Sequence, residues 1–265
     1  MGGAPVRFIQ ISDTHLFTDD NRELLGVNTR QSFQAVIDLL HQKEKKMDFI
    51  LLTGDLTQDY SPGAYISVAD MLQSFNVPVY CVPGNHDDPK VMAQVYPRAC
   101  VSMHKHIVLK NWHIILLNSH KHRSVEGYLD ESQLTYLQYC LQAYPEHQAL
   151  IVMHHHPINV GSAWLDKIGV MNASEFWQVL SQYPKVNSIL FGHVHQIFEQ
   201  IMNGVKCFSG PATCIQFMPR QDTFGIEYLP PGYRWIELHE DGSLDTGIER
   251  TDEYVGEFRK DAKGY

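Results

Sequence analysis

Five short polar motifs, each directly after an apolar stretch of strand-like character, constrain this chain more than any other feature. They are Asp13-Thr14-His15, Gly54-Asp55, Gly84-Asn85-His86-Asp87, His154-His155-His156-Pro157 and Gly192-His193-Val194-His195. The stretches before them, near residues 8–12, 49–53, 79–82, 149–153 and 188–191, are rich in Val, Ile, Leu and Phe. In α/β proteins functional loops gather at the carboxyl ends of strands. Each motif supplies Asp, His or Asn, the oxygen and nitrogen donors that suit divalent metals. None supplies cysteine, which argues against a structural zinc site. Singly, each has a plain reading: a turn-capping Asp, a His-x-His strand face, a tight-turn glycine. Their recurrence in order, always at a strand end, is what those readings leave unexplained.

Between the motifs the pattern alternates. Thr29 can cap a helix whose apolar positions Phe33, Val36, Ile37 and Leu40 repeat at helical spacing. Ser61-Pro62 is an N-cap followed by proline at the first helical position. Asp88-Pro89 opens a short helix, Asp130 caps one carrying Leu134, Leu137 and Leu141, and Ser174 precedes another. Residues 107–109 and 114–117 flank Asn111 as a hairpin, and Asn203-Gly204 joins a second hairpin over residues 197–208. Tyr233 to Leu238 with the Asp241-Gly242 turn suggests a last one. Such βαβ units followed by hairpins imply an α/β (α+β) fold with helices outside mixed sheets. Residues 1–250 read as a single domain and residues 251–265 as a polar tail.

Composition narrows the function classes. The chain has 265 residues, 44% of them apolar, enough for one sizeable core. Its 30 acidic against 21 basic residues and net charge of -9, without a basic cluster, argue against a nucleic-acid binder. Five cysteines form no CxxC and sit in apolar stretches, as reduced core residues of a cytoplasmic protein do. A strand pattern within the first ten residues leaves no room for a signal peptide. Val6 stands where N-myristoylation needs Ser or Thr. No apolar run nears the roughly 18 residues of a membrane span, so no membrane partner is expected.

The motif set resembles the calcineurin-like metallophosphoesterases, whose pattern is D-x-H, G-D, G-N-H-D, an H-x-P-type block and G-H-x-H. The resemblance runs through nearly the whole chain. Further segments resemble a narrower family, the class III bacterial cyclic-AMP phosphodiesterases: residues 10–17, Ser162-Ala163-Trp164-Leu165-Asp166, Thr213-Cys214-Ile215-Gln216-Phe217 and Pro231-Gly232-Tyr233-Arg234. The resemblance implies a four-layer α/β-β/α sandwich of two mixed β-sheets flanked by helices, with a dinuclear metal site at the sheet edge. It further implies a metal-dependent phosphodiesterase that hydrolyses 3′,5′-cyclic AMP to 5′-AMP by attack of a metal-bridging hydroxide. Two divalent ions per chain are implied, Fe2+ or Mn2+ foremost, with Zn, Co or Ni admitted.

Carried over residue by residue, the resemblance puts Asp13, His15, Asp55 and His195 on one ion. Asp55, Asn85, one histidine of the 154–156 run and His193 hold the other, with Asp55 bridging. In relatives with the shorter H-x-P form the ligand lies two residues before proline. That selects His155 here, with His154 as the alternative and His156 as a supporting or substrate-facing residue. His86 is implied as general acid; Asp87 or Asp88 can orient its ring or cap the helix at Pro89. His15, Asp55, Asn85, His86, His155 and His195 are the expected substrate contacts. Trp164 can stack on a base or anchor a loop, and Phe217 and Tyr233 read as packing residues. The same metal motifs also suit a broader phosphodiesterase acting on glycerophosphodiesters, 2′,3′-cyclic nucleotides or aryl diesters. A non-catalytic interaction scaffold on this fold is a more distant alternative, since such scaffolds usually lose ligands and here every position is filled. Monomer and homodimer both remain open.

Overall fold

Alternation of apolar side chains along the strands decides the layering. In strand β1 (Val6–Ile11), Val6 and Phe8 belong to one buried cluster while Ile9 and Ile11 belong to another. Strand β2 (Phe49–Leu52) splits the same way, Phe49 and Leu51 against Ile50 and Leu52. Both faces of these strands are therefore apolar and both must be covered, as expected of parallel strands packed on each side. The computed structural model describes residues 3–252 and Gly256.

Strand β3 (Val79–Cys81) and the short β4 (Val101–Ser102) continue the first sheet, each parallel to its neighbour. The chain then crosses to a second sheet: β5 (His106–Leu109), β6 (Trp112–Leu116), β7 (Gln148–Met153), β8 (Val186–Phe191), β9 (Phe198–Met202) and β10 (Val205–Ser209). It returns through β11 (Gly232–Leu238) and β12 (Leu244–Arg250), which close antiparallel on the free side of β1. The two six-stranded sheets have orders β12-β11-β1-β2-β3-β4 and β9-β10-β8-β7-β6-β5. In the second, β10, β8, β7 and β6 are parallel and the edges β9 and β5 antiparallel.

The helices supply the outer layers. Helices α1 (Thr29–Lys43), α2 (Pro62–Leu72) and α3 (Pro89–Val95) join successive strands of the first sheet and bury Phe33, Val36, Tyr65, Val68 and Met92 against it. Helices α4 (Glu131–Ala143) and α5 (Ala173–Leu180) cover the second with Leu137, Leu141 and Phe176. Between the sheets Phe8, Phe49, Trp112, Leu150, Leu190 and Phe208 form a third apolar cluster. This is the four-layer arrangement expected from the sequence.

Three of the expected caps hold. Ser61 accepts from the Ala64 amide, Asp88 from Lys90 and Val91, and Asp130 from Gln133. Two shift. Helix α1 is capped by Asn28, whose Oδ1 accepts from Gln31 N at 2.9 Å, and Thr29 is its first turn. Helix α5 begins before Ser174, and Asn172 at its N-cap instead bonds the Leu129 backbone in both directions. The Asn203-Gly204 turn has both residues at positive φ, 52° and 82°, the type I′ geometry that suits a two-residue hairpin. The expected polar tail lies, beyond Asp252 and apart from Gly256, outside the described residues.

Candidate metal centre

All five motifs leave the carboxyl ends of parallel strands on one side of the sandwich. Residues 12–15 follow β1, 54–55 follow β2, 84–87 follow β3, 154–156 follow β7 and 192–195 follow β8. The first two loops continue the pairing of their strands: Asp13 N donates to Gly54 O, and His15 N to Asp55 O. Gly192 N donates to His154 O in the same way. Gly84 and Gly192 let the loops touch, since a Cβ on Gly84 would overlap the Asp55 carboxylate and one on Gly192 would overlap Ser12 Oγ.

The backbone is strained where the donors sit. Asp13, His15, Asp55, His193 and His195 all have left-handed φ, between 44° and 68°. For residues bearing a Cβ this costs of order 1–3 kcal/mol each and persists only when the surroundings impose it. Five such residues in one cluster mark a place where side-chain position is held against local preference.

The result is a buried cluster of donors. One ligand atom each from Asp13, His15, Asp55 and His195 falls within 4.8 Å of the others, and so do those from His154, His155 and His193. Asp55 stands between the groups: its Oδ2 is 3.6 Å from His15 Nε2 and 3.2 Å from His154 Nε2. Asn85 Oδ1 lies 3.2 Å from His154 Nε2, and the His193 amide donates to Asp13 Oδ1 at 3.1 Å. The ring of His86 packs edge-on to His15 at 5.0 Å, and its amide donates to Asp55 Oδ1 at 2.7 Å.

Three rings are fixed from behind. His15 Nδ1 meets Gln58 Oε1 at 2.6 Å, His154 Nδ1 meets Thr53 O at 2.7 Å, and His195 Nδ1 meets Ile215 O at 2.9 Å. A carbonyl can only accept, so the proton belongs on Nδ1 and the Nε2 lone pair faces the centre, as in histidines that ligate metals. His15 Nε2 and His195 Nε2 then face each other at 3.3 Å, flanked by Asp55 and by Asp13, whose Oδ1 is 3.2 Å from His195 Nε2. Opposed lone pairs between two carboxylates fit a cation. Both nitrogens of His193 and Nε2 of His155 are also buried without a hydrogen-bond partner among the described residues. His155 differs from the first three, because its Nδ1 meets Ser119 Oγ at 2.8 Å, and a hydroxyl does not force the proton onto that nitrogen.

The electrostatics of these side chains show the same tension. Burial drives His155 and His193 well below the ordinary histidine value, with neighbouring histidines adding to it. Burial also takes His15 down to about 3 despite Asp55. For His154 and His195 burial works downward too. The carboxylates outweigh it, Asp55 lifting His154 to about 9 and Asp13 raising His195 well above its usual range, so without a cation these rings carry a proton on Nε2 that a bound cation would displace to reach the lone pair.

A family model described as calcineurin-like phosphoesterase matches residues 6–197, the span that holds every donor. The chain belongs to this family. It is 42% identical over 246 residues to the 3′,5′-cyclic adenosine monophosphate phosphodiesterase CpdA of Haemophilus influenzae, covering 92% of this chain and 90% of that protein. To the protein of the same name from Escherichia coli K12 it is 40% identical, covering 94% and 91%. Among solved structures, a dimetal phosphatase from Danio rerio aligns with a TM-score of 0.65 at 15% identity, over 94% of this chain and 100% of that one, a likeness of fold.

Around the donors of this calcineurin-like phosphoesterase, neighbouring residues find definite partners. The Asp87 carboxylate accepts from the amides of Leu56, Thr57 and Gly84, tying the second motif to the third. Asp88 is a helix cap. Trp164 packs edge-on against Phe217 and Phe224, and Phe217 stacks flat on His195 at 4.1 Å. Trp164 is therefore a packing residue behind a donor ring. His156 stacks on His193 at 5.7 Å. Gln58, Ser119 and Thr53 carried no motif, Ile215 lay in a segment with no role assigned, and what each does for a donor ring emerges only from the fold. No helix of the described residues is long and apolar enough to cross a membrane.

Proposed function

We propose that this calcineurin-like phosphoesterase is a phosphodiesterase that hydrolyses 3′,5′-cyclic AMP to 5′-AMP with two divalent cations, Fe2+ or Mn2+. The observation that carries the metal requirement is the His15–His195 pair, with two Nε2 lone pairs 3.3 Å apart between Asp13 and Asp55. The choice of cyclic AMP rests on the relatives named as cyclic-AMP phosphodiesterases, 36–42% identical along at least nine-tenths of this chain.

In this reading Asp13, His15, Asp55 and His195 hold one cation, and Asp55, Asn85, His154 and His193 the other. His154 takes the place expected for His155. Its Nε2 faces Asp55 and Asn85 with Nδ1 committed to Thr53 O; His155 is the alternative, its Nδ1 on Ser119 Oγ and its Nε2 buried without a hydrogen-bond partner among the described residues. When bound, the cations supply an acidified water and a positive field for the phosphate oxygens. The protein's own part is to seat the diester against that field and to protonate the ribose 3′-oxygen as it departs. His86 is placed to deliver that proton, since its ring lies beside His15 and its backbone is pinned to Asp55. Burial holds its imidazole below the ordinary value. A bound phosphodiester anion opposes that shift, so substrate itself favours the protonated acid.

Rates on cyclic AMP, cyclic GMP, a glycerophosphodiester and bis(p-nitrophenyl) phosphate, with Mn2+ or Fe2+, test the substrate. Preference for the glycerophosphodiester would replace the proposal with the broader reading. Elemental analysis tests the ligand set. His154→Ala should retain one metal per chain and His155→Ala two, and the reverse pattern would restore His155.

A further inference from the structure

The adenosine half of the proposed substrate needs a surface of its own, and the partly buried Trp164 is engaged edge-on with Phe217 and Phe224. A cavity of about 390 Å³ adjoins the centre, lined by Asn85 and His86 at its inner end. That volume lies within the range of pockets that enclose small ligands. Tyr60 and Arg123 lie on its wall.

Tyr60 is unusual on three counts. It is 47% exposed, and among the described residues its ring has no aromatic partner. Its φ of 57° is left-handed, a conformation that costs a bulky aromatic residue of order 1–3 kcal/mol. The flanking residues impose that conformation. Asp59 accepts from the Thr18 amide at 2.8 Å and from the Ser61 amide and hydroxyl at 3.2 and 2.6 Å, while Ser61 caps helix α2. A strained backbone, clamped on both sides, thus presents an unpartnered ring at the mouth of the metal cleft. The ring is close enough that Asp55 and Asp87 add to burial in raising its hydroxyl pKa. Arg123 is likewise left-handed, with φ 58°, exposed, and without an ion pair among the described residues.

We propose that Tyr60 is the stacking platform for the purine base of the nucleotide, with Arg123 offering its guanidinium plane to the same base. This inference rests on the proposed phosphodiesterase reading and adds where the base goes. A planar base without charge gains little from the metal cluster and most from an aromatic face. A guanidinium adds a cation–π contact that requires no particular hydrogen-bonding edge. The pocket should therefore favour purines over ribose alone while distinguishing weakly between adenine and guanine.

The test is calorimetric binding of 5′-AMP and of ribose 5-phosphate to Mn2+-loaded protein. Both carry the terminal phosphate, and only one carries the base. Wild type should bind 5′-AMP about tenfold tighter, the order of one base–aromatic stack. Tyr60→Phe should keep that ratio. Tyr60→Asn removes the ring yet tolerates left-handed φ, so the fold is spared; it should bring the ratio close to one with the ribose 5-phosphate affinity unchanged. A ratio that survives Tyr60→Asn, or an equal loss on both ligands, would overturn the assignment. Wild-type turnover of cyclic AMP is a separate readout, and its absence would refute the proposed activity while the binding ratio still decides the role of the ring.

Discussion

Replacing Asp87 by alanine should destabilise the protein although Asp87 is no candidate metal ligand. Its Oδ1 accepts from Leu56 N at 3.1 Å and Thr57 N at 3.2 Å, and its Oδ2 from Gly84 N at 2.9 Å. Alanine would orphan three buried donors, at about 1–3 kcal/mol each. Against this, burial and the nearby Asp55 push the Asp87 carboxyl up to about 7, so the native group carries a burial cost that the variant escapes. The net loss should be about 3 kcal/mol, or roughly 1 M in urea midpoint for an m-value near 3 kcal/mol/M. Asp87→Asn keeps one acceptor oxygen and should lose about half as much. The assay is urea unfolding of metal-free protein, because bound cations would add their own stabilisation. Metal stoichiometry of the folded variant should also fall, since the second and third motifs are no longer tied. A loss below about 1 kcal/mol with full metal content would refute the view that these amides hold the centre together.

Other expectations follow from the same geometry. His86→Ala should slow cyclic AMP hydrolysis by about 10²–10⁴ and affect bis(p-nitrophenyl) phosphate far less, because p-nitrophenolate departs without a proton; equal losses would make His86 a phosphate clamp. Asp55→Asn should lower both metal content and activity, and full occupancy of both sites by elemental analysis would contradict the bridging position. In the second sheet, away from the metal centre, burial and then His106 and His147 hold His113 down at about 4. The unfolded chain, titrating near 6.5, binds that proton first, so His113 contributes stability above pH 6.5 that is lost as pH falls toward 4. Between pH 7.5 and 5 wild type should lose about 2 kcal/mol more than His113→Gln, and parallel urea midpoints would refute it.

The layering and the gathering of the donors were legible in the sequence because both rest on local patterns. Strand alternation names the two faces, and Gly-Asp or Gly-His after a strand names the loop. The choice within His154-His155-His156 was not legible. Three adjacent rings differ only in what stands behind them, and Thr53 O and Ser119 lie 101 and 36 residues away in sequence. Asp87 illustrates the same limit: its neighbour in sequence is His86, but the three backbone amides its carboxylate accepts from are set by the fold. Tyr60 carried no motif, and its exposure and backbone conformation become visible only when helix α2 and the Thr18 loop clamp its neighbours. Caps were readable to within two residues, as Asn28 in place of Thr29 and Asn172 in place of Ser174 show, because nearby polar residues offer the backbone near-equivalent acceptors.

Attack of water on phosphorus, with the ribose 3′-oxygen leaving, is the step on which the proposed activity depends. Hydrolysis of cyclic AMP in 18O-enriched water, with Mn2+-loaded protein and mass analysis of the product, reads this directly. The predicted product is 5′-AMP carrying one 18O on phosphorus, formed only when the divalent cation is present. Formation of 3′-AMP, or no turnover by protein shown to hold two metals per chain, would contradict it.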